Sequence, residues 1–439
     1  MDNKEKYKLL AESGGVLPST MGVFYSSNDF VLNESYLKTS LENSKHFTLL
    51  RLHKSVKEDS LYSKFEIRVG YGEENFDLLI TQEKSEGIDL KNFGLGNYLE
   101  FGELESAQNQ SSYIEVSMYF GSDCLSSFHL QLKILYAIVP EASLVMDFMP
   151  YRLLSGKWLK LAAESIIAPS PEYLYVVHSI FNEESKGNVR HWLHTHGLHR
   201  CGSIELEIID IGNGSEQMYQ ILNMVAKMFI EGNAPKAHEK FAVGYDGLEI
   251  NFCWTPWEEA VARVLPTAMG GLDDRNEDGD IHREPSGVLW AIEDQHQVSP
   301  EIYATALADN PIYFISNKET LRMSALAIER FDLFEKFFTV KYKKKKRSFF
   351  WKKEEWSFLV KLGFLTDDAT EETDKEHLWF KLLDIDGEML FAELVNEPYW
   401  IESLKEGDKK KFPLELLTDW IIYGPKGSYT SDTIYQLKL

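Results

Sequence analysis

His377-Leu-Trp-Phe-Lys-Leu-Leu-Asp-Ile-Asp-Gly-Glu-Met-Leu-Phe-Ala-Glu-Leu-Val-Asn-Glu-Pro398 reads as two strands joined at Asp386-Gly387. The Asp-Gly pair suits a tight hairpin, because glycine takes a positive φ without a Cβ clash. Asn396-Glu-Pro398 ends the second strand, since proline cannot donate to a ladder. Leu404-Lys-Glu-Gly-Asp-Lys409 then turns the chain, and Phe412-Pro-Leu414 and Thr418-Asp-Trp-Ile-Ile422 continue the β pattern. Residues 376–439 are therefore expected to form a small, mainly-β, barrel-like module.

Upstream the composition breaks twice. Lys341-Tyr-Lys-Lys-Lys-Lys-Arg-Ser-Phe-Phe-Trp-Lys-Lys353 carries eight cations, and Asp367-Asp-Ala-Thr-Glu-Glu-Thr-Asp374 is polar and acidic. Residues 341–375 read as a linker. Before it, short β-branched and aromatic runs alternate with helical patterns. Phe65–Tyr71 and Phe76–Thr81 are expected to pair across Gly72-Glu-Glu-Asn75, and Tyr113–Phe120 is a further strand. A helix capped near Ser122-Asp123 carries Leu125, Phe128, Leu132, Leu135 and Ile138 at helical spacing and stops at Pro140. Tyr151–Ala163, Glu216–Ile230 and Leu321–Phe338 read as helices. Tyr173–Phe181, Val189–Thr195, Ser203–Asp210, Leu248–Phe252, Val288–Ile292 and Ile312–Ile315 read as strands. The fold class is α+β, with a mixed or antiparallel sheet and packed helices over residues 1–235. Residues 236–340 continue this body or form a second subdomain.

The chain has 46 Lys and Arg against 69 Asp and Glu, a net charge of −23. Nearly all of the excess lies in residues 1–340, with 29 basic and 50 acidic residues; residues 341–439 hold 17 and 19. Such a body repels phosphates and anionic lipid, which disfavours nucleic acid and suits a basic protein partner. Three cysteines, Cys124, Cys201 and Cys253, suggest neither a disulfide framework nor a Cys-rich zinc site. The start lacks the apolar run of a signal peptide, and no stretch approaches the ~20 apolar residues of a spanning helix. The expectation is a cytoplasmic protein with no membrane span; oligomeric state is left open.

Three constellations offer chemistry. His191, His194, His196 and His199 crowd together, and in a strand His194 and His196 share a face. With Glu205 they form a candidate zinc set, although His-Glu-x-x-His is absent. Asp274, Asn276, Asp278 and Asp280 place oxygens at alternate positions like the start of a calcium loop, but Pro285 stands where the closing glutamate belongs, so Glu284 would have to serve. The arm 341–353, through Lys343, Lys344, Lys345, Lys346, Arg347 and Trp351, could neutralise phosphates and stack bases. Each also has a plain reading: a structural edge, a solvated acidic turn and a solvated linker. No Gly-x-Ser-x-Gly, phosphate-binding loop or Gly-x-Gly-x-x-Gly occurs, so no catalytic residue is assigned.

Leu378-Trp-Phe-Lys381, Asp386-Gly387, Leu394-Val-Asn-Glu-Pro398, Leu404-Lys-Glu-Gly-Asp408, Phe412-Pro-Leu414 and Asp419-Trp-Ile421 together resemble an uncharacterised bacterial domain family. Trp192-Leu-His-Thr-His-Gly-Leu198, Ile204-Glu-Leu-Glu207 and Trp254-Thr-Pro-Trp257 make residues 1–335 similar to a second uncharacterised bacterial family, often fused to the first. The resemblance carries no activity or site residue. It implies an association with bacterial interaction or toxin-immunity systems. The favoured expectation is a non-catalytic bacterial interaction protein without cofactor. Two alternatives stand beside it: a metal-dependent hydrolase built on His194 and His196, and a nucleic-acid contact through residues 341–353.

Overall fold

The computed structural model describes residues 1–439 apart from 13–14, 26–29, 56–63, 92–98, 100, 186–187, 246–247, 276–280, 310–316, 344–355, 372–373 and 439. It divides into two compact units, Met1–Glu164 with Pro171–Phe314, and Ser165–Ser170 with Ile315–Leu439. The α+β expectation holds in both.

The first unit opens with α1 (Asn3–Ala11), β1 (Ser19–Tyr25), α2 (Glu34–Glu42), β2 (Thr48–Ser55), β3 (Lys64–Tyr71) and β4 (Glu74–Lys84). Then come α3 (Phe101–Gln108), β5 (Ser112–Met118), α4 (Cys124–Ile138), β6 (Ala142–Asp147), β7 (Arg152–Ser155) and α5 (Gly156–Glu164). The seven strands form one antiparallel sheet in the order β2-β3-β4-β5-β1-β6-β7. α4 starts where the sequence places it, because the Asp123 carboxylate accepts from Ser126 N at 3.0 Å. Phe128, Leu132, Leu135 and Ile138 on α4 are fully buried, each contributing roughly 1.5–3 kcal/mol of transfer free energy. The helix expected over Tyr151–Ala163 begins only at Gly156. Arg152–Ser155 are taken into the sheet opposite Asp147–Leu144, so cross-strand pairing overrides the helical pattern there.

A second sheet follows within the same unit. Its elements are β8 (Val176–Ser185), β9 (Asn188–His196), β10 (Glu205–Ile211), α6 (Ser215–Met228), β11 (Phe241–Tyr245), β12 (Leu248–Pro256), α7 (Trp257–Ala260), β13 (Ser286–Glu293), β14 (His296–Val298) and α8 (Ala304–Asp309). The order is β11-β12-β13-β10-β9-β8, with β14 on β13 and β10 parallel to β13. This sheet is mixed and the first is antiparallel, so both expected types occur. The strand expected at Ile312–Ile315 lies outside the described residues.

In the second unit the single helix expected over Leu321–Phe338 is two, α9 (Asn317–Glu329) and α10 (Phe331–Phe338), broken at Arg330. Arg330 leaves helical geometry and its Nη1 donates to Ser431 O at 2.6 Å. Six strands follow: β15 (Ser357–Leu365), β16 (Lys375–Asp386), β17 (Met389–Leu394), β18 (Lys409–Pro413), β19 (Leu417–Gly424) and β20 (Gly427–Thr430). They form an open antiparallel sheet, β18-β17-β16-β15-β19-β20. The barrel-like expectation is corrected: among the described residues β18 and β20 remain edges, and α9 and α10 cover the sheet instead of closure. Trp420 illustrates the cover, fully buried with its Nε1 donating to Ala327 O at 3.0 Å. The Asp386-Gly387 hairpin forms as read, with Gly387 at φ +60°. β15, inside the stretch read as a linker, is a central strand whose pattern alternates as Phe358, Val360 and Leu362, all buried.

Candidate metal centre

β8 and β9 pair so that His178 stands opposite His194 and Val176 opposite His196. Cross-strand partners project to one face, and so do side chains two apart on a strand. One hairpin thus gathers His178, His194 and His196. Their ring centroids lie 5.7 Å (178–194), 5.0 Å (178–196) and 4.8 Å (194–196) apart. One ligand atom from each falls within 4.8 Å of the others. His282, from the turn Ile281–Arg283, joins them with its Nε2 3.2 Å from His194 Nε2. Tyr151 stands edge-on to His196 at 5.5 Å, on a backbone held at φ +51°. His194 is buried, while His178, His196 and His282 are half-buried, so the cluster reaches solvent on one side.

The floor is a buried ionic layer. Trp192, on the same face of β9, packs its ring against His194 and His282 at 4.8 and 4.6 Å. Behind it Arg275 lies over the Trp192 and Trp257 rings at 4.7 and 4.9 Å. Arg275 pairs with Glu207, which also accepts from Trp192 Nε1 at 2.8 Å and from the Ser286 hydroxyl. A further Arg275 hydrogen bond, Nη1 to His282 O at 2.8 Å, holds the turn that carries His282.

Burial and the neighbouring imidazoles push the His196 pKa down to about 3. The same causes, with Arg275 adding to them, drive His194 lower still, and burial lowers His178. At neutral pH these three rings are uncharged and keep a lone pair each, the form in which histidine binds metal. His194 Nδ1 is buried without any hydrogen-bond partner, while the Nε2 of the same ring faces His282. A tetrahedral shell with bonds of about 2.0–2.1 Å sets neighbouring donors about 3.3 Å apart. The donor atoms of His178, His194 and His196 lie up to 4.8 Å apart, wider than this, so the rings would have to draw together around an ion. The residue types and their arrangement fit a zinc-class metal.

The expected ligand set changes in one member. His194 and His196 do converge, but Glu205 does not join them. Its carboxylate accepts from Thr195 Oγ1 at 2.7 Å, Gly197 N at 2.9 Å and His199 N at 3.2 Å, which pins the turn after β9. His191 and His199 also point elsewhere, to Ser179 Oγ and Pro285 O. Cys201 sits beside Cys124, which together with burial pushes its thiol well up, so it forms no thiolate pair with His199. Asp274 Oδ2 accepts from Gly270 N at 2.7 Å and Glu284 pairs with Lys6, removing the described members of the calcium loop from a common site. Asn276, Asp278 and Asp280 lie outside the described residues. So do Lys344, Lys345, Lys346, Arg347 and Trp351 of the basic arm; Lys343 ends a π turn, Thr339–Lys343. His178 and His282 escaped sequence reasoning. The first was signalled only by the register of the hairpin, the second by nothing local.

Comparison with known families divides the chain in three. Residues 19–169 match the N-terminal region of a protein of unknown function (DUF4026), residues 177–290 match its C-terminal region, and residues 322–438 match an uncharacterized protein conserved in bacteria (DUF2314). No curated protein and no solved structure matches the chain. Both resemblances read from the sequence are thereby borne out, and the C-terminal match begins well before the hairpin that signalled it. No helix among the described residues is long and apolar enough to cross a membrane.

Proposed function

We propose, for a chain that belongs to the DUF4026 family over its first two thirds and carries a DUF2314 domain after it, that the N-terminal unit is a metal-dependent hydrolytic module. His178, His194 and His196 would be the ligands, with His282 and Tyr151 beside them. The observation that carries this reading is the convergence of His178, His194 and His196 from one hairpin, with one ligand atom of each within 4.8 Å of the others. Three histidines with an open position form the arrangement in which zinc acts as a Lewis acid and brings water to a pKa of about 7. The protein's part is to hold the rings neutral, to fix His282 through Arg275, and to leave one side open for substrate. Protein purified without a tag should contain about one transition metal per chain by elemental analysis. The cobalt-substituted form should show tetrahedral visible bands that His194→Ala abolishes. Metal-free protein that also takes up no cobalt would end the proposal.

The protein-interaction reading has separate support in the C-terminal unit. Tyr399 and Trp400 are 87% and 61% exposed, yet both backbone amides are held by the Glu376 carboxylate at 2.8 and 2.9 Å. A fixed, solvent-facing tyrosine-tryptophan pair is the composition of a protein-binding hot spot. A basic toxin, with this chain as its immunity protein, or another basic protein would be recovered from lysate by the wild-type chain and lost with Tyr399→Ala/Trp400→Ala. Recovery of the same partners by both chains would remove this reading.

A further inference from the structure

A cavity of about 580 Å³ opens in the N-terminal unit, and none of the clustered histidines lines it. Such a volume is within the range of small-molecule sites. Leu10 of α1, Phe229 after α6, Ile204 and Trp254 give it apolar walls, and all four are buried. α1 is held beside it by polar ties, Tyr7 Oη to Ser286 O at 2.8 Å and Asn3 Nδ2 to Glu258 Oε1 at 2.8 Å.

Two observations say what enters. Lys4, Lys8 and Lys236 line the same cavity and are exposed, and among the described residues none of their ammonium groups is in an ion pair. Three ammonium groups at one cavity give it a positive rim in a body that otherwise carries a large excess of carboxylates. Ser203, also on the cavity wall, is only 6% exposed, and its buried hydroxyl has no hydrogen-bond partner. A buried hydroxyl without a partner costs free energy unless something in the cavity satisfies it. We infer that the cavity binds an anionic amphiphile, an alkyl or aryl carboxylate or phosphate, with its apolar body between Leu10, Phe229 and Trp254, its headgroup at Lys4, Lys8 and Lys236, and an oxygen on Ser203. The site is separate from the histidine cluster and does not depend on a metal there.

Decanoate, decyl phosphate and decanol are titrated into the full chain by calorimetry. An anion should bind with a Kd on the order of 10–100 µM. The triple variant Lys4→Gln/Lys8→Gln/Lys236→Gln should weaken it by about tenfold, as three exposed charge contacts imply, and should leave decanol unchanged. Ser203→Ala should weaken it severalfold, and Ile204→Trp should fill the cavity and abolish binding. The lysines are exposed, so the triple variant tests the site even where Ile204→Trp disturbs folding. The tighter of the two anions identifies the headgroup. Decanol binding as tightly as either anion, no anion binding below millimolar concentration, or full affinity in the triple variant would each overturn the inference.

Discussion

Arg200 presents Nη1 and Nη2 to the two oxygens of Asp147 at 3.0 and 2.9 Å, and neither side chain touches solvent. The pair joins the end of β6 in the first sheet to the turn that leaves β9 in the second. Burial pushes the Asp147 carboxyl up while Arg200 pulls it back. Leu174 O and Ser19 Oγ accept from the same guanidinium, which rests over the Phe128 ring at 5.1 Å. Arg200 is thus a fully satisfied buried cation two residues beyond Leu198 and four beyond His196, and it fixes where the histidine strand ends.

Removing one partner of such a pair strands the other charge. Arg200→Ala and Asp147→Ala should each cost about 3–5 kcal/mol in urea unfolding, while the double variant Arg200→Met/Asp147→Leu should lose less than either. A double variant as damaged as the sum of the two singles would show that the ionic pairing is not what matters here.

Gly197 follows His196 directly at φ +116°, and a Cβ there would stand 2.3 Å from Leu174 O. Gly197→Ala should therefore lose about 2 kcal/mol or more of stability. Zinc affinity should fall with it, because the strain is relieved by shifting His196. Thermal melts with and without zinc check both effects, and wild-type values would contradict the account.

Arg275 supports the candidate centre without touching its solvent side. Arg275→Lys keeps a charge opposite Glu207 but cannot reproduce the fork that also reaches His282 O and Gly270 O. Loss of such support typically costs 10–100-fold in metal affinity, and about that loss is expected in competition with a chromophoric chelator. Unchanged affinity would remove His282 from the site.

Asp419 on β19 is buried, with its Oδ1 accepting from Trp420 N at 2.8 Å. Burial raises its carboxyl to about 6, with Lys361 and Arg322 opposing and Asp432 adding to the rise. The folded chain then holds this proton more tightly than the unfolded chain does. Its contribution is most favourable below about 3.9, declines as pH rises, and levels off above about 6, a loss on the order of 3 kcal/mol. Protection factors of the β19 amides should be higher at pH 4.5 than at pH 7 in the wild type, and this difference should shrink in Asp419→Asn. Equal pH dependence in the two proteins would place the titration elsewhere.

Local pattern carried a good part of this molecule. The α4 stripe with its Asp123 cap, the hairpins at Gly72 and Asp386-Gly387, and the shared face of His194 and His196 are all short-range facts, set by φ, by caps and by the two-residue period of a strand. The failures were of a different kind. Basic composition hid β15, because the Lys-rich stretch beside it masked the alternation of Phe358, Val360 and Leu362. Glu205 looked like a ligand because it is near in sequence, but the turn at Gly197 needed its oxygens for backbone amides. His178 reached His194 through strand register, and His282 arrived from 88 residues away on a turn held by Arg275. Residue order alone therefore determined which side chains could share a face. Only tertiary structure decided which faces met, because cross-strand register and buried ionic contacts are long-range equilibria that no window of neighbouring residues encodes.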